Sequence, residues 1–176
     1  MARTKFSDVK SIDVIGNNLY EMIIPNIPGG SGVEKKLSIQ CTGFEMPQIE
    51  VARLEVVVQG FRSHNSAGTT VFPGTFTASF VEDSSMSIYN AFRAWKEILA
   101  GTESGTTSGT KTDYSRDIIL RVYNTRNDVA CEVVMTGSFV QTIGAVSMQG
   151  TTAPDSVNVS ITFSYDTCDL DAVTNR

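Results

Sequence analysis

The sequence predicts a mainly β fold of antiparallel strands with a single covering helix. Two-residue alternation of apolar and small hydroxyl side chains recurs along the chain, most clearly from Thr75 to Phe80 and from Ser156 to Asp166. Only one stretch, Met86 to Gly101, shifts convincingly to helical spacing. Gly, Pro, Asn and Asp punctuate the runs between these segments. A lone amphipathic helix cannot bury its own stripe, so it must cover a side or an edge of a sheet.

Taken in order, Leu19–Ile24 is an apolar run that stops at Pro25 and the turn-rich NIPGGSG. Lys36–Thr42 alternates Leu37, Ile39 and Cys41 against polar neighbours and reads as a strand. Gln48–Gln59 reads as a long strand, with Ala52, Leu54, Val56 and Val58 on one face. Gly60–Gly74, carrying FRSHNSAGTTVFP, reads as a loop. In the next strand Phe76, Ala78 and Phe80 oppose Thr75, Thr77 and Ser79.

Asp83, Ser84 and Ser85 offer oxygens to the free N–H groups of a helix start. The predicted helix spans about residues 85–100, with Ile88, Phe92, Trp95 and Leu99 as its core face and Gly101 as a left-handed stop. Gly101–Arg116 has the composition of a flexible loop. Asp117–Asn124 and Val129–Thr136 form a hairpin about NTRND. Phe139–Met148 is ambiguous. Ser156–Asp166 sets Val157, Val159, Ile161, Phe163 and Tyr165 against Asn158, Ser160, Thr162 and Ser164.

At 176 residues the chain reads as one domain over 1–176. It divides into an N-terminal arm at 1–17, the loop at 101–116 and a C-terminal tail at 167–176. Its apolar content of 41% suits a globular core. No apolar run spans a bilayer, and MARTKFSDVKS lacks the apolar segment of a secretory signal, so folding in a cytoplasm without membrane insertion is expected. The net charge of −5 opposes direct gripping of nucleic acid, which needs clustered Lys and Arg.

Catalytic and metal chemistry find little support. The single histidine, His64, sits in a polar stretch without a nucleophile motif beside it. The cysteines, Cys41, Cys131 and Cys168, have no C-x-x-C spacing for zinc. Cys41 and Cys131 fall on apolar alternations, whereas Cys168 lies in the acidic DTCDLD and is expected to be the accessible thiol, available for a bond between subunits. DTCDLD lacks the glycine and distal Glu of a calcium loop, and GTESGTTSGTK lacks the strand and helix that a phosphate loop requires. No cofactor is implied. What remains is sheet, long connections and strand faces rich in Ser, Thr and Asn with few charges, which points to self-assembly more than to catalysis.

The order of elements resembles the tail tube proteins of contractile-tailed (myovirus-type) bacteriophages. The resemblance is carried by LSIQCTGFEMPQIEVARLEVVVQGF, then the stretch Phe61–Phe72, FTASFVED and AFRAWKEILAG, and more loosely by the hairpin, GSFVQTIGAV and the last alternating strand. It covers roughly Asn18 to Asp166. It implies two packed antiparallel sheets in a barrel-like subunit with one flanking helix. It also implies six-membered rings that stack into an inner tube through which phage DNA is ejected.

The partners implied are other copies of the chain, the tail sheath, baseplate and tail terminator proteins, and a tape measure protein in the lumen. DNA passes without specific contacts, and the location is the virion tail, assembled in the host cytoplasm. On that reading Thr75, Thr77, Ser79, Asn158, Ser160, Thr162 and Ser164 are candidate lumen residues. Phe61, Arg62, His64, Val71 and Phe72 are candidates for stacking on the adjacent ring. The alternatives are the tube of a phage-like contractile injection or secretion system without DNA, and a monomeric β-sandwich binding module.

Overall fold

The computed structural model describes residues 18–30, 32–101, 109–148 and 156–171. Residues 1–17, 31, 102–108, 149–155 and 172–176 lie outside these, and with them the predicted N-terminal arm, most of the predicted loop at 101–116 and the end of the predicted tail. The strands are β1 (Tyr20–Ile23), β2 (Cys41–Phe44), β3 (Glu50–Val58), β4 (Phe61–Val71), β5 (Thr75–Val81), β6 (Arg116–Tyr123), β7 (Val129–Ile143), β8 (Asn158–Ser164) and β9 (Thr167–Asp171). The helices are α1 (Glu34–Gln40), α2 (Ser87–Leu99) and α3 (Lys111–Tyr114).

Every strand pairing is antiparallel, and β7 organises the main sheet. Its first part pairs with β6 on one side and β9 on the other, and β1 flanks β6, making a first leaf β1–β6–β7–β9. Its last part, from Phe139, pairs with β8, making a second leaf β7–β8–β5–β2. Between the two parts stands Gly137 at φ +66, where the strand passes from leaf to leaf. A side chain there would be strained, and only glycine takes that backbone at no steric cost.

The leaves enclose one core. Met22, Ile118, Leu120, Val133 and Met135 from the first leaf meet Phe76, Phe80, Val159, Ile161 and Phe163 from the second. Helix α2 adds Ile88, Phe92 and Trp95, all fully buried, and Phe92 stands edge-on to Phe163 at 5.6 Å. Burying such aromatic side chains contributes about 2–3 kcal/mol each before entropy is counted. The mainly β architecture with one substantial helix is as expected, and the alternations of β5 and β8 face as predicted. The described ladders do not close into a barrel within the subunit.

Several local expectations are corrected. Residues 36–40 are helical, not extended: EKKLSIQ is rich in good helix formers. Leu37 is buried there while Ile39 is 72% exposed, as helical spacing requires and strand spacing forbids. Gly60–Gly74 is not a loop, because β4 pairs with β3 along most of its length, from Val58↔Phe61 to Glu50↔Val71. Gln59 and Gly60 both have positive φ, the condition of a tight two-residue hairpin turn.

Of the predicted flexible loop, the described residues just before Arg116 are not flexible: Thr110 and Asp113 form a capping box on α3, and Trp95 Nε1 donates to the Tyr114 carbonyl at 2.6 Å. Residues 167–171 are a strand, not a tail, and Cys168 is a buried free thiol facing Met135 across the ladder.

Helix α2 begins at Ser87, after Met86 at φ +50, and of the three predicted capping residues Asp83 serves while Glu82, not predicted, does the rest. Asp83 accepts from the backbone N–H groups of Ser85 and Ser87, and the Glu82 carboxylate takes those of Ile88 and Tyr89. Its other end differs from expectation. Ala100 is extended at φ −151 and ends the helix, with no left-handed Gly101.

Candidate functional site

The predicted lumen residues come together. Register pairs Thr75 with Ser164, Thr77 with Thr162 and Ser79 with Ser160 on neighbouring strands. They share the outward face of the second leaf, because Phe76, Ala78, Phe80, Val159, Ile161 and Phe163 occupy the inward one. The hydroxyls of Thr77 and Thr162 lie 3.3 Å apart. Asn158 continues this face opposite Val81, and Thr142 of β7 extends it beside Thr162. At the β2 margin the Glu45 N–H bonds the Thr77 carbonyl. The strand positions on this face thus hold mostly hydroxyls and an amide, with the apolar Val81 and Phe139 at its ends and no Lys or Arg.

The outward face of the first leaf is built differently. Register lines Glu21, Arg121 and Glu132 across β1, β6 and β7. Arg121 Nε meets Glu132 Oε2 at 2.6 Å, and Tyr123 donates to Glu21 Oε2 at 2.7 Å. The bond to Glu21 raises the Tyr123 phenol above its ordinary value. Ser38 of α1 donates to the other Glu21 oxygen at 3.1 Å. One face therefore carries paired charges and the other carries hydroxyls, a contrast the sequence only partly disclosed, because Arg121 and Glu132 become neighbours only through pairing.

The β3–β4 hairpin projects from both leaves. Every β4 residue is exposed, and of β3 only Ala52 and Val56 are half-buried. Cross-strand pairs share a face, so Leu54, Val56, Val58 and Phe61 line one side with Ser63 and Asn65. Arg53, Glu55, Val57, Arg62 and His64 line the other, with Arg62 Nε 3.4 Å from Glu55 Oε1. Phe61 is 81% exposed and Val71 is exposed as well, whereas Phe72, just beyond β4, packs against the subunit's own core. The stacking candidates thus belong to a strand, and Phe72 separates from them. The hairpin thus concentrates exposed apolar side chains: Leu54, Val57, Val58, Phe61 and Val71.

A groove of about 450 Å³ runs between α2 and the end of β7, lined by Tyr89, Arg93, Lys96 and Glu97 on one wall and Gln141, Thr142 and Ile143 on the other. Sequence reading missed it, because Phe139–Ile143 was not recognised as strand. Among the described residues no cluster of His, Cys, Asp and Glu could hold a metal ion. His64 faces Glu55 across the hairpin, with no nucleophile arranged beside it.

Known proteins share the fold. The fold matches a chain of the sheath–tube complex of an extracellular contractile injection system in the extended state, at 14% identity and TM-score 0.61, over 97% of this chain and 100% of that one. It matches a chain of the anti-feeding prophage tube-terminating cap at 14% identity and TM-score 0.63, over 91% and 92%. A type six secretion system protein matches at 14% identity and TM-score 0.51, over 86% and 82%. Among curated protein sequences none matches. The profile of the family described as phage tail tube protein matches residues 8–169. The chain therefore belongs to the phage tail tube protein family, as a structural protein and not an enzyme.

Proposed function

We propose that copies of this chain close into six-membered rings that stack into the inner tube of a contractile, tail-like assembly. The hydroxyl face of the second leaf lines the lumen, and the charged face of the first leaf looks outward. The contrast between these two faces carries the proposal. A lumen wall repeats each side chain around every ring and along every ring of the tube. One exposed cation there would become a polyvalent trap for a passing polyanion. A wall of Ser, Thr and Asn stays wet and releases its cargo.

Six copies of a four-stranded leaf give a barrel of about 24 strands, which at about 4.8 Å per strand and about 40° of tilt is roughly 50 Å across between backbones. Side chains narrow it to roughly 40 Å, open enough for a nucleic-acid duplex or an extended polypeptide. The β3–β4 hairpin, with Phe61, Arg62, His64 and Val71, bridges to the adjacent ring. Sheath, baseplate and terminator proteins are the partners outside the tube and at its ends.

Two cargoes fit. The family profile favours phage DNA with a tape measure protein. The folds of the injection-system and secretion chains favour a tube that carries no DNA, and three such likenesses support this second reading.

The purified chain at high concentration should form hollow tubes by negative-stain microscopy. A monomer at millimolar concentration would end the tube reading. Thr77→Lys or Ser160→Lys should leave tubes intact but slow DNA ejection. Intact tubes with unchanged infectivity would remove the lumen assignment. Replacing Val58 and Phe61 by Ser should leave folded rings that no longer stack, and full tubes from that variant would exclude the hairpin's role.

A further inference from the structure

We infer which strands meet when the second leaf closes: the outer margin of β2, Thr42–Glu45, pairs antiparallel with the end of β7, Gln141–Ile143, of the next copy. The inference rests on the tube reading and names its seam. The second leaf has two margins, and both are open. At one, β7 runs past the end of its ladder with β6, whose last pair is Arg116↔Ser138, and the groove under α2 leaves space beside Gln141–Ile143. At the other, β2 is held by β5 through Glu45, while Tyr20 donates to the Cys41 carbonyl and leaves the residues after it uncovered. An open strand margin presents unpaired N–H and C=O groups, which natural sheets cover or pair.

Parity supports pairing these two margins. Antiparallel steps from β7 through β8 and β5 to β2 leave β7 and β2 running in opposite directions. Rotating a second copy about a ring axis keeps each strand's direction along that axis. Its β2 therefore meets β7 antiparallel, and the alternation continues across the seam. A contact between two different margins of identical copies is head-to-tail, the kind that closes rings. The uncharged strand face stays continuous, because Thr142 lies on it at one margin and Gly43, paired with Ser79, lies on it at the other. Charge leans the same way: Cys41–Glu50 contains Glu45 and Glu50 and no cation, and the groove wall presents two cations, Arg93 and Lys96, against one acid, Glu97.

Cysteine pairs test the seam in the assembled full-length chain. Thr42→Cys or Glu45→Cys is combined with Gln141→Cys or Thr142→Cys, giving four double variants; all four positions are exposed. Within one copy these margins stand three strand spacings apart, about 14 Å, beyond the roughly 7 Å limit for a disulfide. Oxidation of tubes should give a ladder of covalent multimers on a non-reducing gel for at least one double variant. Each single variant should give none, and mixed single variants only dimers. Tubes visible by microscopy with no ladder from any pairing would overturn the seam and leave the tube reading standing. A wild-type chain that never assembles would overturn both.

Discussion

Replacing Gly137 by Ala should destabilise the subunit by about 1–2 kcal/mol, in two separable parts. The first part is backbone. At φ +66 an L-residue with a side chain loses about 1 kcal/mol relative to glycine. The second part is contact. An added methyl carbon would clash with Asp166 Oδ2 and stand 2.9 Å from its Cγ. The Asp166 carboxylate is the half-exposed end of a short side chain, so it rotates away and gives up its ion pair with Lys111. An exposed pair of this kind contributes up to about 1 kcal/mol. The assay is urea unfolding followed by the fluorescence of Trp95, the single tryptophan. Repeating Gly137→Ala in an Asp166→Ala background removes the contact and leaves only the backbone part, about 1 kcal/mol. A neutral Gly137→Ala would refute the account of the strand crossing. An undiminished cost in the Asp166→Ala background would refute its steric half.

Trp95→Phe should cost about 1–2 kcal/mol through the lost bond to the Tyr114 carbonyl and a small void, and Trp95→Ala about 3–5 kcal/mol; denaturation followed by circular dichroism checks both, and a neutral Trp95→Phe would remove Trp95 as the anchor of α3. Hydrogen bonds from Ser85, Lys36 and Ser87 hold the Asp83 carboxyl well below its ordinary range. A depressed folded pKa contributes stability above the unfolded value of about 3.9 and loses it as pH falls further, so melting temperatures below about pH 4 should fall less steeply in Asp83→Asn than in wild type. Parallel acid limbs would contradict that. Burial pushes the Cys41 thiol up to about 11 and raises that of Cys168 as well. An alkylating reagent at pH 8 should therefore label half-buried Cys131 first, and mass spectrometry finding Cys168 modified first would reverse the correction made for it.

Segments whose own side chains carry a full period were legible from sequence. Alternation in β5 and β8 placed Phe76, Phe80, Val159, Ile161 and Phe163 inside and the hydroxyls outside, and the 3.6-residue stripe of α2 placed Ile88, Phe92 and Trp95. Leu99, at the end of that stripe, is only half-buried because the helix stops there. The charged row of the first leaf and the groove beside β7 escaped, because both depend on residues far apart in the chain.

By itself the sequence determined the mainly β class, the aromatic core, the hydroxyl faces and the family to which the chain belongs. Only the tertiary structure decided that Phe61–Val71 is a strand, that Glu34–Gln40 is a helix, and that Thr167–Asp171 closes the first leaf with Cys168 buried. For the two strands the physical reason is the same. FRSHNSAGTTV has little strand preference of its own and becomes extended because β3 satisfies its backbone, while DTCDLD looks solvated until Thr136 to Glu132 of β7 pair with it. Side-chain periodicity is local information, whereas backbone hydrogen bonding between strands is supplied by partners remote in sequence.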